Sequence, residues 1–168
     1  MPKGLKSTSS LITIGFEVTE SAANTFTQGQ VDLQLNPLDN EVFVVQAVNL
    51  DASNPDAIAG TNTTVDAGLT TTSRAAMPNL SDSAALAIAA NAIRADAVIG
   101  VGFSKTSMET PPSGLEYIGI IATNDFFVQV LGTGNAQVKK VSGKLYGYRA
   151  RADAAVYAAL VQSEVLSS

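Results

Sequence analysis

The sequence predicts an all-β sandwich or barrel of about eight strands, and two observations carry that prediction. Runs rich in β-branched and apolar residues alternate with polar ones at period two, as at Val31-Asp32-Leu33-Gln34-Leu35. Turn chemistry built from Gly, Pro, Asn and Asp separates these runs every ten or so residues. The 168 residues, 46% of them hydrophobic, suit one domain with a real core, and no internal repeat or second composition regime divides them.

The elements follow in order. Residues 11–18 (LITIGFEV) read as a strand, and residues 31–35 put Val31, Leu33 and Leu35 on one face with Asp32 and Gln34 on the other. Residues 36–40 (NPLDN) are a turn, and residues 41–50 (EVFVVQAVNL) the next strand, the two strands joined as a hairpin or a sandwich corner. Residues 51–79 are Ala, Gly, Thr, Asn and Asp with few large apolar side chains. A loop this long reads either as a functional excursion or as a mobile insertion. Ser81-Asp82-Ser83 is placed to cap a short helix over residues 84–95, with Leu86, Ala89, Ala90 and Ile93 on one face.

Strands resume at residues 97–103, followed by a polar loop over residues 105–114 that contains Pro111-Pro112. Residues 115–122 and 126–131 are two further strands with a turn at Thr123-Asn124-Asp125. Gly132-Thr133-Gly134-Asn135 is the strongest hairpin signal, its second arm being residues 138–148. From Ala150 the chain is Ala-rich again and reads as a short helix or an extended tail, with Val156, Ala159 and Leu160 on one helical face. The count and length fit a single jelly roll with the middle loop and helix as an excursion.

Composition narrows the chemistry. The chain has no Cys and no His, so disulfides, zinc knuckles, thiol nucleophiles and imidazole bases are excluded. It reads as a protein that is not an enzyme and uses no cofactor. Carboxylates near one another at Glu17 and Glu20, or Asp51 and Asp56, lack the ordered spacing of a calcium loop. Glu116 and Asp125 would make a glycosidase-like pair only if the fold joined them. Gly132-Thr133-Gly134 precedes a strand, not the helix that a phosphate loop requires. Asn62 and Asn79 begin sequons that read as ordinary loop composition without a signal peptide.

Charge singles out one segment. The net charge is -5, yet five of the ten Lys and Arg residues lie between Lys139 and Arg151. Lys139, Lys140, Lys144, Arg149 and Arg151, interleaved with Tyr146 and Tyr148, form a basic edge suited to a subunit's acidic face, nucleic acid or an anionic membrane. Edge lysines that block sheet-to-sheet aggregation are the plainer alternative. Lys3 and Lys6 would add to an anionic-partner surface.

Two stretches carry a resemblance. Residues 26–35 (FTQGQVDLQL) followed by 41–45 (EVFVV) resemble the opening of viral jelly-roll coat proteins. Residues 124–130 (NDFFVQV), the 132–135 turn and residues 141–148 (VSGKLYGY) resemble the closing hairpin of capsid proteins of tailless icosahedral viruses. The resemblance implies a structural capsid subunit with no catalytic residues. It would reside in the virion, made in the host cytoplasm without a signal peptide or membrane span, and assemble with copies of itself and in some particles a second capsid protein. Residues 1–10 would then be an N-terminal arm and residues 152–168 a C-terminal tail, both reaching neighbouring subunits. A phage-fibre or surface-recognition sandwich is the alternative reading, and a small carboxylate enzyme the last.

Overall fold

Alternation of buried and exposed side chains organises most of the chain into strands, as residues 12–19 show by switching at every position. The computed structural model describes residues 2–97, 101–107 and 115–167. Its strands are β1 (Leu5–Ser7), β2 (Ile12–Thr19), β3 (Thr27–Asp32), β4 (Glu41–Ala52), β5 (Thr63–Thr70), β6 (Ala85–Ala95), β7 (Val101–Ser107), β8 (Gly119–Ile121), β9 (Asp125–Thr133) and β10 (Lys140–Ala152), followed by the helix α1 (Ala154–Ser167).

All strand pairs are antiparallel and form two sheets. Sheet A runs β10-β4-β8, with β2 and β1 end to end along the other side of β10. Sheet B runs β3-β9-β5-β6-β7. Setting β1 and β7 aside, the orders β2-β10-β4-β8 and β3-β9-β5-β6 are those of a jelly roll. The chain crosses between sheets at six of its nine connections, and only β1-β2 and β5-β6-β7 run on within one. The core lies between the sheets, where Phe43, Val45, Val65, Leu69, Ile121, Val128 and Leu145 are buried. Phe16 of sheet A meets Phe126 of sheet B edge to face at 5.8 Å.

A second apolar layer covers the outside of sheet A. Val42, Val44, Ala150 and Ala152 point outward from β4 and β10 and are buried by Val156, Tyr157, Leu160 and Val161 of α1. Asp153 caps the helix, its Oδ1 accepting from the Val156 amide at 2.8 Å. The tail is therefore a helix docked on its own sheet, and of the residues expected to share its apolar face, Ala159 is exposed. Residues 5–7 of the predicted arm are strand β1, paired with the end of β10.

The Ala-rich residues expected as a helix over 84–95 instead form the strand β6 from Ala85 on. Ala87, Ala89 and Asn91 face the core, and the backbone is paired on both sides, by β5 and by β7. Ladder bonds on both flanks satisfy the peptide groups as a helix would, and they override a modest propensity. Asp82 does not cap a helix; its carboxylate grips Arg74 at 2.6 and 2.7 Å and accepts from the Ala84 amide.

The middle segment is likewise more ordered than its composition suggests, for it holds the end of β4 and all of β5. The predicted hairpin at residues 132–135 is instead a crossover, because β9 belongs to sheet B and β10 to sheet A. The strand expected over residues 115–122 narrows to β8. In the strand expected over residues 97–103, residues 98–100 lie outside the described residues. Residues 105–107 of the expected loop belong to β7, and residues 108–114 also lie outside the described residues.

Glu164 fastens α1 to the body. Its buried carboxylate accepts from the Ala122 and Thr123 amides at 2.9 and 2.7 Å. Burial pushes its pKa up, helped by Asp125, and the two amides only partly oppose this. The folded chain then holds the Glu164 proton more tightly than the unfolded chain. Stability from this group is full below the ordinary carboxylate pKa and is lost as pH rises through the raised one. We expect urea midpoints of the native chain, relative to Glu164→Gln, to fall as pH rises over the range above the ordinary Glu pKa of about 4.3. A difference that stays constant over that range would contradict this account.

Candidate functional site

The basic segment forms β10, and β10 is an interior strand. It pairs with β4 along residues 141–151 and with β2 and β1 on its other side. The expected edge position, and with it the role of edge lysines in blocking aggregation, is therefore corrected: the sheet's rim lies at β1, β2 and β8.

Four of the five cations meet carboxylates of the same chain. Lys139 is buried, with its Nζ 2.5 Å from Asp56. Arg149 donates to Glu41 at 3.1 Å and to the Gln34 and Leu33 carbonyls at 3.1 and 2.8 Å, clasping the β3–β4 corner. Within that corner Gln34 and Asn40 adopt positive φ. Lys140 pairs with Glu17 at 3.4 Å and Arg151 with Asp39 at 2.9 Å, both at exposed positions where such pairs contribute little. Five cations against four carboxylates leave one net charge. That charge is Lys144, which is exposed and has no ion-pair partner among the described residues.

Lys144 and Tyr146 stand on the half of sheet A's outer face that α1 leaves open. Their cross-strand neighbours are short: Gly15 and Asn49 flank Lys144, and Thr13 and Ala47 flank Tyr146. The strand bulges beside Tyr146, where the pairing with β4 shifts register. Tyr148 lies further along, against the helix-covered layer. It borders an open depression of about 470 Å³ that is also lined by Ser7, Ser9, Leu11, Gln46 and Glu116. Burial raises the Tyr148 pKa, with Glu116 and Tyr117 adding to the effect.

Of the carboxylates singled out for metal or acid–base chemistry, Glu20, Asp56 and Asp125 hold groups of the chain itself. Glu20 is buried and accepts from the Gly132 and Lys139 amides. Asp56 accepts from the Ala136 and Gln137 amides and from Lys139, whose ammonium is the main cause of its lowered pKa. Asn135 joins the same knot, bonded to Asn24, Asp56 and Thr64. Glu116 lies beside Tyr148, whereas Asp125 accepts from Gln30, so they form no facing pair. Among the described residues no group of three acidic side chains is placed to hold a metal ion.

Sequence reasoning did not foresee the knot of Glu20, Asn24, Asp56 and Asn135. The Asn-rich and Asp-rich loops were its only trace. No protein-family model matches this sequence, and no curated protein matches it either. No helix among the described residues is long and apolar enough to cross a membrane.

Proposed function

We propose that this chain is a structural subunit of a viral capsid. The strand order carries the reading: two sheets ordered β2-β10-β4-β8 and β3-β9-β5-β6 are the single jelly roll on which many capsids are built. The fold alone admits other functions, since lectins and cupins share it. Two further observations favour a subunit. The stretches that resemble coat proteins coincide with β3, β4, β9 and β10, and the last three of these strands supply eight of the seventeen buried core residues. The basic strand uses its charges to hold its own loops together, which fits a scaffold better than a nucleic-acid groove.

Light scattering after size exclusion, with electron microscopy of the leading fraction, tests the proposal. Large uniform particles are expected from the purified chain. A chain that stays monomeric at high concentration, with or without salt, removes the reading.

A second reading has its own observation. Lys144, Tyr146 and Tyr148 lie in line along one strand beside the Gln46 and Glu116 depression, which suits a sandwich that binds a surface glycan. Glycan-array binding abolished by Tyr146→Ala would favour it.

A further inference from the structure

Among the described residues, sheet B ends in a strand that has no second partner. β7 pairs only with β6 among the described residues, in an unbroken register from Ala89↔Ser107 to Ala95↔Val101. Residues 101–105 are all exposed, including Val101 at 71% and Phe103 at 58%. Pairing places these two beside Ala95 and Ile93, in the same row of β6 as Ala89 and Asn91. Ala89 and Asn91 belong to the core side: both are buried, and Asn91 donates to the Ala52 carbonyl of sheet A at 2.8 Å. The core-facing surface of sheet B thus continues outward through Ile93 onto Phe103 and Val101, which are exposed.

An open edge of this kind leaves a row of amides and carbonyls to solvent, a template with which another strand can pair. Protected edges carry a bulge, a proline or several charges. β7 has no register shift and no proline, and its one charge is Lys105.

We infer that β7 pairs antiparallel with β7 of a second copy of this chain across a two-fold axis near Phe103 and Ser104. Antiparallel pairing is the arrangement throughout sheet B, and an isologous contact needs no other element of either copy. The two exposed Phe103 and Val101 pairs would merge into one apolar strip. Charge agrees with this axis: each Lys105 lies beside the partner's Val101 or the partner's Phe103, never beside the partner's Lys105, and an ammonium over an aromatic ring is favourable. The inference rests on the capsid reading for its purpose, since a two-fold contact is one a closed shell requires, but its chemistry stands without that reading.

The absence of Cys makes the test direct. Gly102→Cys, Phe103→Cys and Ser104→Cys are prepared singly, with Asn49→Cys on the opposite sheet as reference. All four positions are exposed. Under mild oxidation at least one β7 variant is expected to form a disulfide dimer at least roughly tenfold faster than Asn49→Cys, because pairing holds its thiol at high local concentration. Linked dimers without larger particles would support the pairing and remove the capsid reading. Particles in which no β7 variant links would overturn the pairing alone. A β7 thiol shielded from small reagents but not linked would mean that a different element or partner covers the edge, which also overturns it. A chain that neither links nor associates overturns both.

Discussion

Replacing Gly147 by Ala is expected to be among the most damaging single-methyl changes in this protein. Gly147 lies in the middle of β10, opposite Val45 of β4 and Ile12 of β2. An added Cβ would run into the Val44 carbonyl oxygen and the Phe43 ring, and both residues are fully buried. Neither neighbour is the free end of a flexible chain, so the strand itself must move. Overpacking a rigid core costs about 1–3 kcal/mol, and a clash with backbone belongs at the upper end. At this chain length that is roughly 2–4 °C of melting temperature per kcal/mol. Gly143→Ala meets the Asn49 carbonyl and the Phe16 ring and should behave alike. Gly15→Ala is the control. Gly15 pairs with Lys144 on the exposed face, and nothing lies within 4 Å of its added methyl. Its stability should match the native chain or exceed it slightly, because the unfolded chain loses freedom. Urea unfolding of the three variants measures the contrast; equal midpoints for Gly147→Ala and Gly15→Ala would refute the steric account.

The parts of the fold that were legible in the sequence are those with one dry face and one wet face. β2 shows period-two alternation because only one side of it meets the core, and β9 and β10 show enough of it to be recognised; β4 is legible instead as a run of Val and Phe, because Phe43 and Val45 enter the core while Val42 and Val44 are buried under α1. β6 was misread because its side chains are mostly Ala, which fits a close-packed strand and a helix equally, and its partners β5 and β7 lie outside any local window. β5 escaped notice because Thr, Asp, Ala and Gly look like loop when nothing reveals that Val65, Ala67 and Leu69 are buried. Turn chemistry at residues 132–135 announced a reversal but not whether the chain returned to the same sheet. The basic segment was visible as composition, but its neutralisation was not. Lys139 finds Asp56 across 83 residues and Arg149 finds Glu41 across 108, and charge patterning along the chain carries no such information.

The knot at that same end of the sandwich leads to the second large effect. Glu20→Ala is expected to destabilise the chain by roughly 2–5 kcal/mol, the cost of leaving two buried amides without an acceptor. The Glu20 carboxylate accepts from the Gly132 amide at 2.6 Å and from the Lys139 amide at 2.8 Å, while its own amide donates to the Lys139 carbonyl. Gly132 is the last residue but one of β9 in sheet B and Lys139 precedes β10 in sheet A, so one side chain fixes the point where the chain changes sheets. Water cannot readily replace it, because Glu20, Gly132 and Lys139 are all buried. Glu20→Gln keeps one acceptor oxygen and turns the other into a donor facing an amide, so it should recover only part of the loss. If Glu20→Ala proved as stable as the native chain in urea unfolding, the crossover would be held by packing alone. If Glu20→Gln proved no better than Glu20→Ala, charge and not acceptor count would be what the two amides require.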